Sequence, residues 1–266
     1  MTGLAVILLL IAAGCRNTRK TEPEEPSVTE TLKEDTEARI EDISGYPIPD
    51  SYQITQMIYE AGAPYVNRLS NGPEKAGDYV TPRDKALNMG VYGTDLIYAT
   101  TYMMRNATLE YLDATKTLID ELGISTLFSM TYAERIEQNL EDRDSLIRVV
   151  TETFDQTWNY LVENEQDIQA RLVVSGSWIE GLYITTNIAK TALDNTVILE
   201  ILANQKHSLE ELISLLEPVK NREEIEDVYA GLSDIQTIYQ EVGETLTNDQ
   251  LNNILSKISA LRNSIV

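Results

Sequence analysis

The sequence predicts an all-α protein, a multi-helix bundle, and three observations carry that expectation. Helix punctuation recurs along the chain. Thr81-Pro82-Arg83-Asp84 joins a capping hydroxyl, a proline at the first helical position and an acid in the first turn; Ser208 to Glu211 (SLEE) and Thr247 to Gln250 (TNDQ) have capping-box spacing. Apolar residues return every three or four positions, as in Ile225, Val228, Leu232, Ile235 and Ile238, and again in Leu251, Ile254, Ile258 and Leu261. Alternating β-branched runs bounded by turns, the mark of half-buried strands, are missing.

Taken in order, helices are expected at 50–69 with a kink at Pro64, then at 82–104, 107–122, 125–139, 143–163, 165–204, 208–220, 222–242 and 248–264. Gly123, after Glu121-Leu122, reads as a helix stop, and so does Gly243, because glycine enters the left-handed C-terminal turn without steric cost. The 165–204 run is too long to continue unbroken, and Asn187 or Asp194 marks the expected break. Residues 222–266 read as a hairpin that closes the bundle, with a partner-docking hairpin as the alternative.

Charge narrows the functional classes. The 266 residues carry 43 acids against 21 bases, a formal net charge of -22. No basic stripe is present to displace counterions, so no nucleic-acid partner is expected, and electrostatic docking to anionic lipid is disfavoured. One cysteine and one histidine leave no internal disulfide and no multi-histidine metal site. Tyrosine is over-used, 14 against 2 Phe and 2 Trp, which suits helix contacts where a ring is buried and its hydroxyl finds a partner.

The N-terminus reads as an export signal. Leu4 to Gly14 is an uncharged apolar run of about a dozen residues, shorter than the roughly 20 a spanning helix needs. It ends in Ala12-Ala13-Gly14-Cys15, which resembles the lipobox of bacterial lipoproteins. The chain's single cysteine stands at that junction. The resemblance implies that residues 1–14 are removed and that Cys15 is lipidated. Ala12 stands where leucine is commonest, and no Lys or Arg precedes the apolar run. Arg16 is not the aspartate associated with retention at the inner membrane, so the outer membrane is the expected destination. Residues 15–48 are polar, charged and proline-punctuated, too poor in large apolar groups to form a core, and read as an acidic tether to a helical domain over 49–266.

Two segments differ from the rest. Ala86 to Met104 holds a single charge, Asp95, and Leu172 to Ala189 a single charge, Glu180. Helices without charge on any side are buried on all sides. Met89, Tyr92, Leu96, Ala99 and Met103 would form one packing seam, and Val174, Trp178, Leu182, Thr185 and Ala189 another. At an offset of 85 positions, Asp95 matches Glu180, Tyr98 matches Tyr183, and Thr100-Thr101 match Thr185-Thr186. An ancient duplication giving two related helical halves would produce this. Gly90 to Tyr102 (GVYGTDLIYATTY) and Gly176 to Thr186 (GSWIEGLYITT), behind a lipobox, resemble helical lipoproteins of Bacteroidota-type bacteria, a family of unknown function. The resemblance runs through most of 46–204 and implies an envelope location and a helical fold. It brings no activity and no catalytic residue.

A buried carboxylate must be paired, hydrogen-bonded or protonated. One expectation is that Asp95 and Glu180 face a common polar pocket, walled by Tyr92, Tyr98, Trp178 and Tyr183, that takes a small cationic or hydroxylated ligand. The other is that each acid is satisfied by a hydroxyl or by an Arg from a flanking helix and fixes helix register. Gly90-x-Tyr92-x-x-Asp95 is similar in outline to the Gly-x-His-x-x-Glu motif of imelysin-like envelope proteins, but tyrosine replaces the nitrogen ligand. No metal and no cofactor are therefore expected. His207, in a polar junction, reads as a solvated surface residue rather than a catalytic base. No enzyme is expected, and the partners anticipated are a membrane reached through the lipid anchor and an envelope protein or small ligand.

Overall fold

The computed structural model describes residues 51–124, 130–192 and 194–266. The signal peptide, Cys15 and the tether lie outside the described residues, as does the start expected for the 125–139 helix. The described chain is all-α, with ten α-helices and no strands. These are α1 (Ser51–Glu60), α2 (Pro82–Thr101), α3 (Arg105–Glu121), α4 (Met130–Gln138), α5 (Arg143–Glu163), α6 (Asp167–Thr191), α7 (Thr196–Ala203), α8 (Gln205–Leu216), α9 (Glu226–Tyr239) and α10 (Asn248–Asn263). Short 3-10 turns at Asn67–Leu69, Pro73–Asp78 and Glu217–Val219 complete it. None of the described helices is long and apolar enough to cross a membrane.

The helices begin where local chemistry stops the chain from continuing otherwise. Thr81 accepts the Asp84 amide at 3.0 Å with Pro82 behind it. Thr247 and Gln250 form the reciprocal capping box at the head of α10. Ser208 does not cap. It lies buried inside α8, which starts at Gln205 with no side-chain cap, so the SLEE spacing was coincidental. The long run breaks after Thr191, at the Asp194 alternative. Asn187 stays within α6, and Asn195 restarts the chain by accepting the Ile198 amide.

Two helices end sooner than the apolar pattern suggests, for one physical reason. The stretch 50–69 is helical only to Glu60, because Gly62 turns left-handed (φ 79°) and Ala63 closes onto Ile58. Helix α2 stops at Thr101, because Met103 makes the same turn (φ 56°) and the Met104 amide reaches the Ala99 carbonyl. A methionine there costs roughly 1 kcal/mol and leaves no sequence signal of a stop. Gly123 (φ 77°) does end α3 as expected, whereas Gly243 lies four residues beyond the end of α9 and does not take the left-handed turn.

Helices α2 and α6 are the centre. Every residue from Ala86 to Thr101 is buried, and so is every residue from Leu172 to Leu182. They pack chiefly on each other, advancing in the same direction along the seam, with α1, α3, α5 and α10 around them. Contact is backbone to backbone. A methyl group added at Gly90 would land on the Val173 carbonyl oxygen, and one at Gly176 on the Leu87 carbonyl oxygen. Thr94 crosses the same seam, with its hydroxyl 3.1 Å from the Ser177 carbonyl and 3.0 Å from the Ser177 hydroxyl. The reciprocal glycines stand 86 positions apart, not the 85 that separates Asp95 from Glu180, so the acids are not equivalent points on the two helices.

The expected apolar seams need one correction each. Met103 is 38% exposed, because the turn carries it off the helix. In the C-terminal hairpin Ile238 is only partly buried, and Tyr239 fills the core instead, its hydroxyl donating to the Leu202 carbonyl at 3.0 Å. The remaining stripe residues, Ile225 to Ile235 and Leu251 to Leu261 at their stated spacings, are all buried. The hairpin thus closes the bundle through α10 against α6.

Candidate functional site

Asp95 projects from the middle of α2 and Glu180 from the middle of α6, and both are fully buried. The fold does bring them together, close enough for their carboxyl groups to interact directly. What satisfies them is only partly legible in the sequence. Arg262, in the last turn of α10, meets Glu180 with both arms, Nε to Oε2 at 2.6 Å and Nη2 to Oε1 at 2.9 Å. Its guanidinium also lies 4.3 Å from the Tyr183 ring centroid and donates to the Leu69 carbonyl at 3.3 Å. A two-pronged Arg–carboxylate pair is the strongest of the common ion-pair geometries, and cations are favoured at a helix C-terminus. Asp95 has much less. Its Oδ2 accepts the Asn71 amide at 2.9 Å, and Oδ1 finds no donor among the described residues.

Charge counting then settles the protonation pattern. Two carboxyls and one guanidinium are enclosed together, and the guanidinium is committed to Glu180. Burial first, and then the neighbouring Glu180 carboxylate, push Asp95 well above the usual carboxylate range; the Asn71 amide pulls weakly the other way. Burial also raises Glu180, but the Arg262 hydrogen bonds and charge oppose it. Burial works against the charge of Arg262, and Glu180 more than restores it. Burial and the neighbouring carboxylate thus favour the protonated form of Asp95, while Arg262 favours the ionised form of Glu180.

The aromatic residues expected to wall a pocket do other work. Tyr92 donates its hydroxyl to the Gly72 carbonyl at 2.7 Å, and Tyr102 donates to the Ala63 carbonyl at 2.8 Å. The Tyr98 hydroxyl accepts the Val66 amide at 2.8 Å, and its pKa is pushed up to about 12, mainly by burial. These three tyrosines of α2 and its C-terminal turn pin the irregular 61–81 segment onto the bundle. The Tyr98 and Tyr102 rings join Tyr59 and Tyr65 in a cluster, with Tyr65 to Tyr98 centroids 4.7 Å apart, while the Tyr92 ring lies between Tyr79 and Tyr111. Trp178 is buried, its indole N–H without a partner among the described residues. Tyr183 is the platform under Arg262. So Asp95, Glu180 and Tyr183 belong to one network, while the Tyr92 and Tyr98 hydroxyls are engaged by main-chain groups of the 61–81 segment.

Sequence reasoning missed Arg262, Asn71 and Leu69. Arg262 did leave a signal, because it falls on the apolar stripe of α10, four residues after Ile258, where a charge must have a buried partner. Asn71 and Leu69 act through main-chain atoms and leave none.

A recess does exist one layer out. A cleft of about 570 Å³ opens between the 67–74 segment and α3, with Ser70, Asn71, Gly72, Glu74, Glu110 and Tyr111 among its lining residues. Its inner wall is the same stretch whose atoms hold Asp95, Arg262 and Tyr92. Two acids at the rim and hydroxyls within give it an acidic, polar character. His207 is 70% exposed and sits 3.1 Å from Glu211 one helical turn on, as a surface pair. Among the described residues no group of three or more His, Cys, Asp or Glu is placed to hold a metal ion. Comparison with models of protein families, with curated proteins and with solved structures finds no significant match to this chain.

Proposed function

We propose that this chain is a lipid-anchored, non-enzymatic binding or accessory component of a bacterial envelope, its helical body held off the membrane by an acidic tether. Support for the anchor is the short apolar run ending in Ala12-Ala13-Gly14-Cys15, with the one thiol of the chain at the junction. Acyl chains on Cys15 would hold stably, since each buried CH₂ contributes about 0.8 kcal/mol and two chains suffice. Arg16 favours carriage to the outer membrane.

The observation that carries the non-enzymatic half is the occupation of the acid pair. Both Glu180 oxygens are engaged by Arg262, and neither acid reaches solvent. Hydrolysis by two carboxyls needs both to face a substrate. An imelysin-like metal protein or an envelope enzyme built on Asp95 and Glu180 is the second reading, and it would require this network to come apart. The cleft beside it is the place for a small cationic or hydroxylated ligand, Glu74 and Glu110 supplying the charge; an envelope protein docked on the helical faces is the other partner.

Fractionation tests the anchor. Wild type should sediment with membranes and Cys15→Ser should be released; a Cys15→Ser protein that stays membrane-bound overturns the lipoprotein reading. Thermal melting with 1,4-diaminobutane, Ca²⁺ or a simple sugar tests the cleft. The cationic probes should raise Tm in wild type and fail to do so in the Glu74→Gln/Glu110→Gln variant. An equal shift in both proteins removes the cleft from the proposal.

A further inference from the structure

The buried acid pair is used by nothing in the proposed binding role, and its charge count requires a proton. Arg262 spends two N–H groups on Glu180 and shares one of them with the Leu69 carbonyl. Asp95 keeps one oxygen on the Asn71 amide, with the Ser70 hydroxyl beside the carboxyl group, and its Oδ1 takes no N–H donor among the described residues. Glu180 is the group facing it across the seam. A carboxylic acid at Asp95 supplies the missing donor, and a carboxylate there would be a second negative charge with no second cation.

We propose that Asp95 and Glu180 share one proton across the α2/α6 seam, and that this proton is a latch holding both the Ser70–Gly72 wall of the cleft and the C-terminal helix α10 against the bundle, to be released on the alkaline side. The groups facing Asp95 come from every packed element: Glu180 from α6, Arg262 from α10, Tyr111 from α3, Tyr65 with the Ser70 hydroxyl and Asn71 amide from the 61–81 segment, and Tyr92 and Tyr98 from α2 itself. Arg262 is the one cation among these groups. The tyrosines are all held neutral by burial well past the ordinary carboxylate range, so none of them offers compensating charge.

When the proton leaves to hydroxide in the solvent, the seam holds two carboxylates against one guanidinium. Arg262 must then reorient toward Asp95, which disturbs its contacts with Glu180 and the Leu69 carbonyl, or water must enter to solvate the new charge. Either response acts on the same two places. Leu69 and Asn71 hang the cleft wall from Arg262 and Asp95, and Arg262 is the buried polar tie of α10 to α6, with an exposed Lys190–Asn252 hydrogen bond as another. The end of the chain has a second fastening, Asn88 Nδ2 to the Ile265 carbonyl at 2.6 Å, so α10 loosens at its last turn without leaving.

The sign follows from linkage. A carboxyl whose folded pKa is raised binds its proton more tightly in the folded state, so its stabilisation is complete below the unfolded value and drains away as pH rises through the folded one. Melting of the intact protein is measured against pH for wild type and Asp95→Asn, in which the neutral amide replaces the neutral acid. The Tm advantage of wild type should shrink by about 3–5 °C per pH unit across that window. Hydrogen-exchange protection at Leu69 to Gly72 and at the last turn of α10 should fall with it in wild type only, while helix α5 stays protected. Parallel Tm curves for the two proteins overturn the latch. Should Asp95→Asn fail to fold, infrared spectroscopy of wild type decides: a protonated carboxylic carbonyl band in neutral solution that disappears on the alkaline side is the expected result, and its absence at neutral pH overturns the proposal.

Discussion

The α2/α6 seam and the α9/α10 hairpin solve the same problem, burying one helix against another, by opposite means. In the seam the backbones touch. Glycines remove the side chains, Thr94 and Ser177 bridge the gap, and an acid on each helix is enclosed with its partners. In the hairpin the contact is made by interdigitating Ile, Leu and Val, with charges such as Lys257 and Asp234 paired 2.7 Å apart in solvent. The first arrangement has rigid neighbours and polar obligations. The second has flexible side chains and few obligations. Brittleness should therefore follow contact type, not burial, since both interfaces are buried.

The sharpest break of that comparison is Arg262→Ala, because Arg262 sits on the hairpin but serves the seam. Leaving Glu180 enclosed without its cation should cost about 3–5 kcal/mol in urea unfolding. A loss near that of an ordinary surface arginine would mean that the acids reach solvent. Next comes Gly90→Ala, whose methyl meets main-chain atoms of α6 that cannot step aside; about 3 kcal/mol should be lost, with α2 and α6 forced apart. The hairpin supplies the controls. Thr247→Ala removes the capping box of α10 and should cost about 1 kcal/mol, read from the same unfolding curves. Gly231→Ala on α9 meets only the tip of Leu261, 2.7 Å away, and the gain of about 1 kcal/mol in helix propensity should nearly cancel the crowding. Equal losses for Gly90→Ala and Gly231→Ala would erase the distinction between the two interfaces.

The same contrast explains what could be read in advance. The charge-poor stretches 86–104 of α2 and its turn and 172–189 of α6 announce themselves as central, and the lone acid in each announces a buried obligation; Asp95 and Glu180 are indeed buried there. The hairpin stripe is legible because its energetics are side-chain energetics. The 61–81 segment is not, because its anchors are main-chain atoms of Ala63, Val66 and Gly72 meeting tyrosines from α2 and its C-terminal turn, a pairing that no local pattern records. The same holds for the Tyr92 and Tyr98 hydroxyls: they looked available for a ligand, and the chain's own backbone takes them.

That choice of acceptor has a further consequence for the 61–81 segment. Because the tyrosines grip its peptide groups and not its side chains, the outward-facing positions Arg68, Lys75 and Asp78 are free of any duty in holding the segment to the bundle through those hydroxyls. Sequence can drift, or be deliberately varied, at those points while the backbone trace stays fixed. The helices would act as a loom and the segment as replaceable weft, which makes this surface a natural place to install new recognition sequences.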